Sequence, residues 1–309
     1  MNNHLLLILI APFTTFILIA LLRPFAKSIG LTDKPNDRKR HEGSVPLIGG
    51  IAMYFGIVVS LLLTNDLNQF NVFILASLIV VIIGILDDHK DISVSLRLFF
   101  QALTSIIIVS VAGINIESLG NLLGNGDIII NNWSYFISMI AIIASMNAVN
   151  MTDGIHGHAG GSSLITFLAI LFLSIGKISN DNLLIIQIFC LVLPIFLIYN
   201  LCIGMPNSRR IFMGDAGSML IGLGISWTLI DLSQGENQVF SPVTALWLFG
   251  MPIIEICTTV LRRLASSKSL FKPDLLHFHH LLLSLGFSNR AVLISTLSIS
   301  FIMASIGIL

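Results

Sequence analysis

Long apolar runs recur along the whole chain, and that recurrence limits the fold more than any single motif does. A helix needs about 20 apolar residues to cross a bilayer. Runs near that length lie at roughly 4–23, 47–64, 71–86, 97–113, 134–151, 159–176, 183–201, 216–231, 242–261 and 291–309. In lipid each backbone N–H and C=O must be satisfied within its own segment, so such runs are helices. Hydrophobic residues make up 55% of the 309 and charged ones 10%, with a mean hydropathy of +0.94. That composition excludes an ordinary soluble domain. The expected fold is all-α and polytopic, with about ten transmembrane helices forming one integral-membrane domain over residues 1–309.

Charge then orients the spans. The leading MNNH carries no Lys or Arg and no small-x-small site follows the first run, so that run is not read as a cleavable signal. Arg23, Lys27, Lys34, Arg38, Lys39 and Arg40 come after it, which puts the N-terminus outside and the first loop in the cytoplasm. Counting ten spans onward puts 15 of the 16 Lys and Arg on the cytoplasmic side, with Lys177 outside. The formal net charge of zero therefore hides an asymmetry across the membrane, and nothing in it points to a nucleic-acid partner. Cys190, Cys202 and Cys257 lie in or beside spans without a CxxC pair, so neither a disulfide nor a zinc site is implied.

Four cytoplasmic stretches collect the unusual polar residues. In GILDDHKDIS, Asp87, Asp88 and Asp91 cluster at the end of the third span. If the helix continues, Asp87 and Asp91 share a face and repel unless a cation or proton is shared; a solvated helix end is the plainer reading. In NAVNMTDGIHGHAGG, Asn147, Asn150 and Asp153 recur every third residue at a helix end. Their oxygens are hard ligands suited to Mg²⁺. An ordinary turn accounts for Asp153 and the glycines but not for two amides inside an apolar run. In SRRIFMGDAGS, Asp215 stands before a span whose first amides, with Arg209 and Arg210 nearby, form either an anion site or a simple N-cap. In PDLLHFHHLL, His277, His279 and His280 could hold a metal, or donate to a phosphate or sugar, or be a solvated loop.

Carboxylates, amides, basic groups and a helix start on one membrane face suit Mg²⁺-assisted transfer between phosphates, where catalysis is mostly charge stabilisation and positioning. A transporter or flippase of lipid-linked sugars would carry ionisable groups deep in several spans; only Glu255 is clearly embedded.

In this order the motifs resemble those of the polyprenyl-phosphate N-acetylhexosamine-1-phosphate transferases, nearest the bacterial branch that uses undecaprenyl phosphate and UDP-N-acetylglucosamine. The likeness begins at LTDKPNDRKRHEGSVPLIGG and continues through GILDDHKDIS, NAVNMTDGIHG, FMGDAGS, SPVTALW and HFHHLL. It implies transfer of N-acetylglucosamine 1-phosphate to undecaprenyl phosphate at the bacterial inner membrane, with release of UMP, at the start of O-antigen or enterobacterial common antigen assembly. Mg²⁺, with Mn²⁺ as a substitute, is the implied cofactor. Carried over residue by residue, Asp87, Asp88 and Asp91 lie near the lipid phosphate, with Asp87 or Asp88 as base. Asp215 with Asn150 holds the metal. Asn147, Asp153 and His156 serve the nucleotide, Asp153 also counting among the catalytic residues. Arg209, Arg210, His277, His279 and His280 meet the diphosphate or sugar.

The chain departs from that pattern at four places. His156 stands where the family has Asp, His158 where an apolar residue is usual, and Leu275 where an Arg precedes the histidines. An eleventh span and basic tail usual in the family are not seen after the tenth run. A neutral imidazole at 156 can accept or donate one hydrogen bond but supplies no fixed negative charge. Two readings follow: a working transferase with an altered nucleotide contact, or a homologue that binds lipid phosphate or nucleotide with impaired turnover.

Overall fold

The computed structural model describes residues 2–33, 43–64, 68, 70–235, 238–266 and 276–309. Among these the fold is nearly all-α. In chain order the helices are α1 (Asn2–Ser28), α2 (Gly49–Leu62), α3 (Asn71–Lys90), α4 (Val94–Val111), α5 (Ser134–Thr152), α6 (His158–Ser174), α7 (Asn180–Asn200), α8 (Gly214–Ser233), α9 (Pro242–Leu248), α10 (Gly250–Ala265), α11 (Phe278–Ser284) and α12 (Asn289–Ile308). A two-residue antiparallel pair, β1 (Thr32–Asp33) with β2 (Val45–Pro46), closes the first loop.

Nine of the ten apolar runs each coincide with one helix and the run at 242–261 with two, but not every helix is a full crossing. Seven among the described residues are long and apolar enough to span a membrane, and an eighth span is reached by counting α9 and α10 together. The helices α2 and α6, with 14 and 17 residues, fall short of that length. The run at 242–261, expected as one span, is bent by 84°. Pro252 explains the break: it has no N–H to donate to the carbonyl of Leu248, four residues back. The hydroxyl of Thr166 on α6 donates to that carbonyl instead, at 2.8 Å.

α8 lies at the centre, packed against α2, α3, α5 and α6. Its sequence, GDAGSMLIGLGISWTLIDLS, is apolar or small all round, the pattern of a helix buried on every side. Its buried hydroxyls return to their own helix, Ser226 donating to Leu223 O at 3.0 Å and Thr228 to Gly224 O at 2.9 Å. Outer helices present Leu5, Phe13, Phe99 and Ile294 outward, as lipid-facing surfaces do.

Close approach to α8 depends on small residues. At Gly84 of α3, an added Cβ would lie 2.3 Å from the Cα of Ala216. The neighbour is backbone and cannot step aside. Gly84→Ala is therefore expected to separate α3 from α8, at a cost of about 1–3 kcal/mol, seen as a lower thermal unfolding midpoint in detergent. An unchanged midpoint would contradict this packing.

Candidate active site

The last turn of α3 divides two adjacent aspartates between two tasks. Asp87 is buried; one oxygen accepts from the Ile92 amide at 3.1 Å and the other from Arg97 Nη1 at 2.8 Å. Asp88 reaches across to the start of α8, its Oδ1 accepting from the Asp215 amide at 2.8 Å and its Oδ2 from that of Ala216 at 3.4 Å. The helix then stops. Asp91 is its C-cap in the left-handed region (φ 50°), exposed, so it does not continue the face of Asp87.

The opening amides of α8, left by the sequence as an anion site or a simple Asp215 cap, thus already carry a carboxylate from the chain itself, and the N-cap is Met213. Gly214 makes this possible: its φ is +71°, and a Cβ there would stand 2.4 Å from Asp88 Oδ2. Asp215, in the first turn, faces α5, where Asn150 Nδ2 donates to its Oδ1 at 2.5 Å and to Ser218 Oγ at 3.0 Å. Asn147 sits one turn deeper, donating to Gln101 Oε1 and to the carbonyl of Ile143, both at 2.8 Å.

Arg97 was not singled out by motif, yet it joins the cluster. Its Nη1 lies 2.8 Å from Asp87 and 3.5 Å from Asp215 Oδ2. Among the described residues Asp87 and Asp215 share this one guanidinium, while Asp88 is held by the amides of Asp215 and Ala216. The available signal was its place in the first turn of α4, opened by the Ser93 cap, which folds back over the end of α3. Asn200 was also missed. It is buried at the end of α7, accepts from the Gly157 amide at 2.7 Å and donates to Ile211 O at 3.0 Å. That fastens the 153–157 turn to the segment entering α8.

On this side His156 Nε2 lies 3.3 Å from Arg210 Nη1, and its ring sits 5.2 Å from that of Phe212 at 30°. Arg210 also donates to Asn207 Oδ1 at 3.0 Å. Asp153 caps α5 beside this turn, half-buried, and Arg209 is exposed in the short 207–209 turn.

The histidines divide by burial. His277 Nδ1 is 2.8 Å from Glu255 Oε1. His279 is 1% exposed, its ring parallel to that of His277 at 5.8 Å and 4.2 Å from that of His280. It packs on Gly154, where a Cβ would lie 1.9 Å from its Nε2, and edge-on against His158 of α6 at 5.8 Å. Burial first, then the neighbouring His280, His158 and His277, lowers the His279 pKa from 6.5 to about 3. His279 therefore joins the loops as a neutral ring. Leu275 lies outside the described residues.

The donor set suits a hard divalent cation. Among the described residues no group of three His, Cys, Asp or Glu is arranged to hold a metal. Mg²⁺, however, commonly takes one or two protein oxygens and completes its shell with water and substrate phosphate. Asp215, whose side chain is 30% exposed and whose Oδ2 stands 3.5 Å from Arg97 Nη1, offers such an oxygen. Asn150 spends its Nδ2 on Asp215 and Ser218, which leaves Oδ1 as its acceptor.

Residues 70–233, which carry the two aspartates of α3, Asn150, Asp153 and Asp215, match the glycosyl transferase family 4. The chain belongs to glycosyl transferase family 4. Relatives named undecaprenyl-phosphate alpha-N-acetylglucosaminyl 1-phosphate transferase run over most of this transferase. The one from Yersinia pestis is 38% identical over 93% of this chain and 79% of its own length. That from Escherichia coli K12 is 37% identical over 98% and 82%, and that from Haemophilus influenzae 38% over 95% and 83%.

The His279 shift has a sign. Its folded pKa lies below the ordinary 6.5, so the unfolded chain binds the extra proton; stability from the neutral ring is complete above about 6.5 and falls as pH drops toward about 3. The unfolding midpoint should decline below pH 6.5, and His279→Phe should decline less steeply. Parallel pH curves for the two proteins would contradict the burial of a neutral ring.

Proposed function

We propose that this transferase moves N-acetylglucosamine 1-phosphate from UDP-N-acetylglucosamine to undecaprenyl phosphate and releases UMP. The observation that carries the reading is the convergence of Asp87, Asp88, Arg97, Asn150 and Asp215 at one end of the bundle. A lipid-phosphate oxygen forms a bond to the sugar-bearing phosphorus. The bond from that phosphorus to the bridging oxygen breaks, and UMP leaves with that oxygen.

Asp88 has both oxygens on backbone amides and sets the position of α8. Asp87 shares its second oxygen with a side chain, Arg97, which an incoming phosphate can draw away by bidentate pairing. Asp87 is then the base for any proton on the attacking phosphate. Asp91, exposed on the same rim, contributes to the charge around the lipid headgroup. Asp215 and Asn150 would hold Mg²⁺, or Mn²⁺ in its place, which when bound would offset charge on the diphosphate. Asn147, Asp153 and His156 lie on the nucleotide side, with Asp153 beside the reacting phosphates. Arg209, Arg210, His277 and His280 serve diphosphate and sugar, and His279 acts by packing beneath them.

In this reading the 309 residues form one membrane domain of the bacterial inner membrane. The shorter α2 and α6 complete ten crossings, the N-terminus is outside and the reactive loops are cytoplasmic; the Lys and Arg distribution supports this orientation. The product begins a lipid-linked glycan such as O-antigen or enterobacterial common antigen.

The test is UMP release by the detergent-solubilised protein from UDP-N-acetylglucosamine, undecaprenyl phosphate and Mg²⁺. Release should need lipid and metal together, and Asp215→Asn should lower it by about a hundredfold. No release from folded wild-type protein would favour a nucleotide- or lipid-binding homologue in which His156 has removed a needed charge.

A further inference from the structure

Glu255 is a carboxylate in an apolar helix, 2% exposed on α10. Burying such a group costs several kcal/mol unless hydrogen bonds offset it. Among the described residues its hydrogen-bond partners come from one place, the start of the histidine loop. Oε1 lies 2.8 Å from His277 Nδ1 and accepts from the Phe278 amide at 3.1 Å, while Oε2 accepts from the same amide at 3.3 Å. No other hydrogen bond to this carboxylate is found among the described residues.

We propose that Glu255 is a positioning residue that sets the proton position and ring orientation of His277 for phosphoryl transfer. The inference rests on the transferase reading above. An ionised carboxylate only accepts, so Nδ1 of His277 must carry the proton. Nε2 then lies on the opposite edge of the ring, the edge turned from α10. His277 is also stacked parallel to His279 at 5°, and His279 is wedged on Gly154 next to Asp153. Fixing His277 from beneath therefore registers its outer nitrogen against the turn that bears Asp153. The logic is that of a carboxylate orienting an imidazole whose other nitrogen does the work.

A purely structural anchor would give a different pattern on substitution. Glu255→Gln keeps an oxygen for the Phe278 amide and nearly the same volume, yet removes the charge that holds the Nδ1 proton. UMP release should fall about 10- to 100-fold with the unfolding midpoint retained, and Glu255→Asp should recover part of the rate. Because Glu255 acts through His277, adding Glu255→Gln to His277→Ala should cost little more than His277→Ala alone. Losses that multiply, or a Glu255→Gln protein as fast as wild type, would overturn the proposal.

A readout independent of turnover is the ¹⁵N spectrum of ring-labelled histidines, with His277 assigned by difference against His277→Gln. Wild type should show a protonated Nδ1 at His277, and Glu255→Gln should lose that preference. An unprotonated Nδ1 in wild type overturns the proposal whether or not the protein is active. Absent turnover with a protonated Nδ1 would instead support the positioning and count against the transferase reading.

Discussion

The carboxylate of Asp88 on the first amides of α8 is the contact on which the site depends. A helix start has N–H groups with no partner in the helix, and leaving one buried and unpaired costs about 1–3 kcal/mol. Here the start of the central helix lies inside the protein, with Gly214 and Ala216 buried. Asp88 satisfies two of those amides from another helix, so one interaction both completes α8 and sets α3 against it. Asp87, the next residue back, and Asp215, the residue whose amide is held, are placed by the same contact. Gly84 and Gly214 supply the clearance that lets the two backbones meet.

Around that contact each functional group is held by a residue from a different helix. Arg97 comes from α4, Asn150 from α5, Asn200 from α7, and Glu255 from α10 through His277. The polar groups gather at the ends of apolar helices, where satisfied hydrogen bonds can replace water. The short β1–β2 pair extends this frame: Phe212 donates its amide to Pro46 O at 2.9 Å, and the Gly49 amide donates to Phe212 O at 3.0 Å. The aromatic beside His156 is thereby anchored to the first loop.

Much of this was legible in the sequence, because bilayer length and backbone satisfaction act on composition alone. The apolar runs located the helices, and Asn150 and Asp215, named together through the resemblance, lie in hydrogen-bond contact at 2.5 Å. The bend at Phe249 was less visible, since a proline in an apolar run reads as tolerable until the carbonyl it orphans is matched to Thr166 across the fold. Arg97 entered only as one of the 15 Lys and Arg counted on the cytoplasmic side, because its partners stand 10 and 118 positions away. The α8 amides, left open as an anion site or a capped start, are taken by Asp88, a choice that periodicity cannot make. Burial of His279 likewise depends on Gly154, whose missing side chain leaves room for the ring.

Among the described residues Asp87 and Asp215 share Arg97, with Asp88 on the neighbouring amides, so the cluster is short of positive charge. A direct measurement is Mn²⁺ binding to the detergent-solubilised protein by electron paramagnetic resonance, for wild type and Asp215→Asn. Binding should be saturable, compete with Mg²⁺ and be lost in Asp215→Asn. Equal Mn²⁺ binding by both proteins, or none by folded wild type in the presence of UMP, would contradict this.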